Sequence, residues 1–314
     1  MHGNHSLKLK PEQKSYLGEP SGGSLLDKSR PMIKRIIEIG VAVVDLKKTG
    51  DQLAGILGAR GGPVISGQEF DMRAQMFRVG NIEFELMEPV SQNSLIAKFI
   101  KTRGEGLHHI ALQVDDIEEA IEWMTRNDVR LINETPVAIE GFKAAFVHPA
   151  SFGGVLFELI EGNPMWVDQT SLPEELQKTK AGDGIRAEGL LEVGIYLQDL
   201  KVSEEFYSKM FESGPLTTGL SPGAKVYRVG NAKLRLAEST NESEHLSSLT
   251  GRKPLGLSYI RLKVADLNSA ISELGKKEIS CKEIPPNEFC DSKSLIIQPM
   301  EISGIPIFLT DACH

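Results

Sequence analysis

GLHHIALQVDDIEEAI (106–121) reappears 150 residues later as GLSYIRLKVADLNSAI (256–271). In the first version Ile110, Leu112 and Val114 alternate with other residues, which is the period of a β-strand with one buried face. The period then changes. Asp116 is placed to cap a helix whose Ile117, Ala120, Ile121 and Met124 share one face. A strand feeding a helix, written twice in one chain, is the unit from which the fold is read.

Working outward, FRVGN (77–81) and YRVGN (227–231) keep the same offset, as do FGGVLFELIE (152–161) and ISGIPIFLTD (302–311). IIEIGVAVVDLKK (36–48) and LLEVGIYLQDLKV (190–202) stand 154 apart, which places a short insertion between about residues 50 and 76. Blocks in the same order make a tandem duplication. Each copy divides again. A strand (IEIGVAVV), a helix from Leu46 fading near Gly58, and short strands ending in GNIEFELMEP are followed by LHHIALQV, DIEEAIEWMTRN, and strands around RLINETP, FKAAFVHP and GVLFELIE. The expectation is an α+β fold of four βαβββ units, two per copy, forming two cup-shaped mixed sheets. Residues 1–32, polar and aperiodic, read as a flexible tail, 33–162 as the first domain, 163–187 as a linker and 188–312 as the second.

Composition narrows the function. The chain has 314 residues, 40% hydrophobic and 25% charged, as expected for globular domains. A net charge of −8 disfavours nucleic acid and anionic membrane as partners. No apolar run reaches the roughly 18–20 residues of a membrane span, and the N-terminus lacks a signal-like stretch. Three cysteines, Cys281, Cys290 and Cys313, form no C-x-x-C pair. These features predict a reduced, cytoplasmic chain.

Polar residues interrupt strands that are otherwise apolar. Glu38 shares a face with small Gly40 and Ala42, while Ile37, Ile39, Val41 and Val43 take the other. Ile82, Phe84 and Leu86 turn Glu83 and Glu85 outward; Val155, Phe157 and Leu159 do the same to Glu158. His109 falls on a face with Leu107 and Ala111, and His108 falls on the opposite one. Singly, Glu83 and Glu85 read as solvated strand residues. Together, Glu38, Glu85, His109 and Glu158 supply two such groups from each βαβββ unit of the first copy, and a cup would bring them together. Three carboxylates in one pocket repel unless some are protonated or a cation intervenes. One divalent metal (Mn, Fe, Co, Ni or Zn) suits the set. In the second copy Glu192 keeps the place of Glu38, but Arg235, Tyr259 and Phe308 replace Glu85, His109 and Glu158. A Glu192–Arg235 ion pair is expected there instead of a metal.

With these residues in hand, a resemblance is plain. IGVAV (39–43), GNIEFELMEP (80–89), SLIAKFIKTRGEGLHHIALQVDDIEEAI (94–121) and HPASFGGVLFELIE (148–161) are similar to methylmalonyl-CoA epimerases of the vicinal oxygen chelate superfamily, which also holds glyoxalase I and extradiol dioxygenases. The resemblance implies paired βαβββ units around one metal, ligand positions at Glu38, Glu85, His109 and Glu158, and a small-molecule substrate such as an acyl-CoA. It also implies a monomer whose copies mimic a family dimer, or a homodimer. The second copy keeps the frame without the ligands.

Three departures stand out. The epimerase pattern has histidine where Glu38 stands, and its H-P-K loop reads His148-Pro149-Ala150. MRAQMF (72–77) offers Gln75 but no carboxylate for the pattern's additional base; Glu69 and Asp71 lie just outside. The implied activity is metal-dependent isomerisation or epimerisation, by proton transfer next to a thioester or other carbonyl. Glu158 is the candidate base. Arg73, Lys98, Arg103 and Lys143 are candidates to meet substrate anions. The alternatives are a glyoxalase-like isomerase or lyase on another carbonyl compound, and a non-catalytic small-molecule-binding protein. Extradiol dioxygenase chemistry, which generally needs two histidines, fits less well.

Overall fold

The computed structural model describes residues 33–67, 71–139, 141–162, 184–211, 223–239, 243–286 and 292–311. The expected tail, most of the expected linker, Glu69, Cys290 and Cys313 lie outside them.

Two mixed sheets carry the fold. The first has eight strands: β1 (Ile33–Ala42), β2 (Arg60–Gly67), β3 (Met72–Val79), β4 (Ile82–Pro89), β5 (Gly106–Val114), β6 (Val137–Ile139), β7 (Phe142–Val147) and β8 (Leu156–Gly162), in the order β2-β3-β4-β1-β5-β8-β7-β6. The second has seven: β9 (Ala187–Leu197), β10 (Lys225–Val229), β11 (Ala232–Glu238), β12 (Gly256–Val264), β13 (Cys281–Ile284), β14 (Ser294–Ile297) and β15 (Ile307–Thr310), in the order β10-β11-β9-β12-β15-β14-β13. Strand for strand, the second order is the first without a counterpart of β2 among the described residues.

Each opening strand of a unit leads into a helix: α1 (Leu46–Leu57), α3 (Ile117–Arg126), α4 (Leu200–Met210) and α6 (Leu267–Lys276). The same device starts all four. Asp45, Asp116, Asp199 and Asp266 are extended N-caps whose carboxylates accept the amide hydrogen three residues on. Gly58 ends α1 in the left-handed conformation, φ 64°. Two further helices, α2 (Leu95–Arg103) and α5 (Ser243–Thr250), join units within each half. RLINETP contributes only an isolated bridge from Leu131 to Val147, and the strand that follows is β6.

The apolar faces of both sheets merge in one core, which includes Ile39, Phe84, Ile110 and Phe157 from the first half and Val193, Tyr207, Leu234 and Ile260 from the second. Two sets of polar contacts between halves are exchanged pairs, as across an isologous dimer interface. Asn81 Oδ1 accepts from Leu190 N (2.9 Å), and Asn231 Oδ1 accepts from Ile36 N (3.0 Å). Arg103 Nη1 donates to Leu255 O (3.3 Å), and Arg252 Nη1 donates to Glu105 O (2.6 Å). Around the second exchange lies a cavity of about 750 Å³, walled by both halves.

Candidate metal centre

Four adjacent strands, β4, β1, β5 and β8, form the middle of the first sheet. Their register makes two short rows of side chains across the cup. Glu85, Gly40 and His109 form one row; Glu38, Ala111 and Glu158 form the other. The small residues make the room. A Cβ built on Gly40 would lie 2.1–2.6 Å from ring atoms of His109, so the imidazole rests directly on the glycine.

The rows converge on one atom. His109 Nε2 stands 3.2 Å from Glu158 Oε2, 3.4 Å from Glu38 Oε1 and 3.7 Å from Glu85 Oε2. Glu38, His109 and Glu158 are buried and offer donor atoms all within 4.8 Å of one another; Glu85 is half-buried at the margin. Thus all four sequence-selected residues meet in one place. Glu83, read singly as solvated, is 4% exposed.

Burial controls the protons here. It pushes the carboxyls of Glu38 and Glu85 up; the charge of Glu158 adds to this at Glu38, that of Glu38 adds to it at Glu85, and His109 opposes both. Burial alone would lower His109, but its hydrogen bonds to Glu158 and Glu38 prevail and raise it to about 10. Glu83 rises to about 8 by burial, partly offset by Arg78. His108 falls to about 3, by burial first and then by the nearby charges of His109 and Arg103. A cup of three carboxylates and one imidazole therefore holds protons that a cation would displace. Ligands about 2.1 Å from one ion at tetrahedral or octahedral angles stand about 3.0–3.4 Å apart. Glu38 and Glu158 fit that spacing about His109, and Glu85 needs a small inward movement. The residues fit a divalent cation.

Two bulges alter the faces read from alternation. Pairing runs Ile36↔Leu112 and then Glu38↔Ala111, and Ile37 packs on the cup side with Ala111 and Ile160. It also runs Gly40↔His109 and then Val41↔Leu107, so His108 is the extra residue and Leu107 turns into the main core. A bulge resets the two-residue period, which strict alternation cannot anticipate.

The second cup repeats both rows with different chemistry. Arg235, Gly194 and Tyr259 form one; Glu192, Arg261 and Phe308 form the other. The Tyr259 hydroxyl donates to Glu192 Oε1 (2.7 Å). A cation that the sequence reading overlooked reaches Glu192: Arg261 Nε stands 3.6 Å away, and Arg261 Nη1 donates to Ser294 Oγ (2.9 Å). The signal was present, because Arg261 occupies the place of Ala111 in the repeat. Arg235 is buried nearby, its charge acting on the Tyr259 hydroxyl.

The remaining candidates scatter. Asp71 forms a turn at φ 50° and accepts from Ser91, and Gln75 Nε2 donates to Gly62 O (2.8 Å). Arg73 pairs with Glu88, and Lys143 pairs with Glu118 (2.8 Å) and Glu161 (3.3 Å). Arg103 lines the cavity between halves, and Lys98 is exposed.

Residues 38–146 match the family model of the glyoxalase/bleomycin resistance protein/dioxygenase superfamily. Mouse mitochondrial methylmalonyl-CoA epimerase is 32% identical over 140 residues, 43% of this chain and 79% of that protein. The chain belongs to this superfamily. The human mitochondrial methylmalonyl-CoA epimerase is 33% identical over 127 residues, 40% of this chain and 72% of that one. The crystal structure of methylmalonyl-CoA epimerase from Mycobacterium tuberculosis aligns at 28% identity with a TM-score of 0.41, over 43% of this chain and 93% of that one. Its epimerase relatives mark this superfamily member as isomerase-like. Among the described residues no helix is long and apolar enough to cross a membrane.

Proposed function

We propose that the chain is a divalent-metal-dependent isomerase that moves a proton on the carbon beside a thioester carbonyl, with a small acyl-CoA as substrate. The observation that carries this reading is the convergence of Glu38, Glu85 and Glu158 on His109 Nε2. The epimerase names of its relatives support this substrate class. The halves are read as a tandem duplication in which the first keeps the chemistry, and the exchanged contacts make one chain resemble a dimer.

Glu38, Glu85, His109 and Glu158 would hold the ion. When bound, it supplies a charge that stabilises the enolate-like oxygen of the transition state. The chain's own residues do the rest. Glu158, the carboxylate nearest His109 Nε2 and on the strand beside it, is the candidate base that takes the proton and, once protonated, returns one to the same or the neighbouring carbon. Gly40, Ala111 and Ile160 give the cup a buried floor without polar side chains.

Elemental analysis tests the metal, with about one divalent transition ion per chain expected and loss in His109→Ala. Incubation of methylmalonyl-CoA in D2O, followed by NMR, then tests the reaction. Exchange of the proton beside the thioester is expected for the wild type and should fall by about 100-fold or more in Glu158→Gln, within the range of general acid–base catalysis. Full turnover by a metal-loaded Glu158→Gln protein would remove that residue as the base. Exchange on no acyl-CoA would favour the glyoxalase-like alternative, for which the oxygen donor Glu38 is the motivating feature.

A further inference from the structure

The bulge in β5 gives His108 a position that strand alternation denies it. Because Gly40 pairs with His109 and Val41 with Leu107, His108 has no partner in the ladder and turns to the same side as His109. Its Nδ1 stands 3.1 Å from His109 Nδ1, with the rings at 83°. The His108 ring also meets the edge of Phe99, centroids 4.7 Å apart, and lines the cavity between halves.

Two ring nitrogens facing each other at this distance share one hydrogen. His109 Nε2 is the nitrogen turned to the carboxylates, so binding an ion there requires its lone pair, and the hydrogen must sit on His109 Nδ1. His108 Nδ1 must then accept, which leaves the His108 hydrogen on Nε2. We propose that His108 is a positioning residue. It accepts the His109 Nδ1–H, fixes the tautomer that frees Nε2 for the cation, and joins the carboxylate cup to the inter-half cavity through a two-histidine relay. This inference rests on the metal-centre reading above.

The second half is an internal control. β12 carries the same bulge, with Gly194 paired to Tyr259 and Ile195 to Leu257, but the displaced residue is Ser258. Ser258 Oγ donates to Gly256 O (3.0 Å), and Tyr259 reaches Glu192 without help. A phenol has no tautomer to fix. The chain places a second ring at the bulge in the copy whose neighbouring ring has one. This accounts for His108-His109 in one copy and Ser258-Tyr259 in the other.

The test is Zn²⁺ affinity by chelator competition on the wild type, His108→Phe and His108→Asn. Phenylalanine keeps the ring against Phe99 and loses the acceptor; asparagine keeps an acceptor near the Nδ1 position and loses the ring. The expected result is an affinity about 10–100-fold weaker for His108→Phe and within about 3-fold of wild type for His108→Asn, as for the outer partner of a ligating histidine. A packing role gives the reverse ranking and overturns the inference. Nitrogen-15 spectra of the zinc-loaded wild type give an answer that needs no variant to fold: hydrogen on His109 Nδ1 and His108 Nε2 supports the relay, and hydrogen on His108 Nδ1 overturns it. If the wild type takes up no metal, the metal-centre reading fails and the inference with it. If it does, and His108→Phe binds equally, only the inference fails.

Discussion

Gly40→Ala puts one methyl group where the cup has no space. The new Cβ would lie 2.1 Å from His109 Cε1, 2.2 Å from Nδ1 and 2.6 Å from Nε2, whereas ordinary contact begins at 3.4 Å. The ring must retreat by about 1.3 Å, against the ±0.2 Å within which metal–ligand distances are held. The strand cannot yield instead, because β1 is flanked by β4 and β5 and its neighbours Ile39 and Val41 are fully buried. Overpacking of this kind costs about 1–3 kcal/mol, and replacing a strand glycine returns about 0.5–1 kcal/mol of backbone entropy. The net expectation is a loss of about 1–2 kcal/mol in denaturant unfolding, together with loss of metal in elemental analysis.

Gly194→Ala supplies the comparison. Its Cβ would lie 1.9–2.3 Å from the Tyr259 ring, the same obstruction in the cup without the carboxylate triad. The two variants should lose similar stability, but only Gly40→Ala should lose the ion. Normal metal content in Gly40→Ala, or equal metal loss in both, would refute the assignment of the first cup.

Two further changes separate electrostatics from packing. Glu83 titrates at about 8 in the fold, against about 4.3 in an unfolded chain. A raised carboxyl leaves stability unaffected below about pH 4, drains it as pH rises toward 8, and costs the full amount above that, at about 1.4 kcal/mol for each pH unit between the two values. Glu83→Gln should therefore gain on the wild type between pH 5 and 8.5 in metal-free unfolding, by on the order of 4 kcal/mol; a gain independent of pH would contradict the assignment. Arg261→Met removes the cation 3.6 Å from Glu192, where both residues are buried, and leaves Glu192 the Tyr259 hydroxyl (2.7 Å). A loss of about 3–5 kcal/mol is expected, largely restored by adding Glu192→Gln, which removes the unpaired charge and keeps an acceptor for Tyr259. An additive double variant would show that the pair is not coupled.

The parts of this molecule legible in its sequence are those governed by one unbroken period. Ile82, Phe84 and Leu86 alternate through all of β4, so Glu85 turns into the cup as read. The aspartate caps are local, and Asp116 marks the start of α3 to the residue. Alternation fails where a strand gains a residue, at Ile37 and at His108, because the extra residue is visible only in the partner strand. α2 escapes for another reason. Among its side chains only Ile96 is fully buried, so its apolar period is weak and Ser94 is its clearest signal. The burial of Glu83 depends on what the sheet packs against, which the strand's own sequence does not encode.

One difference between the cups is the residue between the two positions of the second row. In the first, Ala111 stands between Glu38 and Glu158; in the second, Arg261 stands between Glu192 and Phe308. Withdrawing a carboxylate from water costs several kcal/mol unless a partner compensates. Arg261 carries that partner on the chain, fixed by Ser294, so Glu192 is compensated when the second cup folds. Ala111 carries nothing, and the imidazole of His109 answers at most one of three carboxylates. The first cup must hold protons or take up a cation. The glycine under the ring and the bulge beside it are common to both, so they belong to the scaffold. The arginine in place of Ala111 acts together with Arg235, Tyr259 and Phe308 in place of Glu85, His109 and Glu158, and all four changes sit on the same strand register.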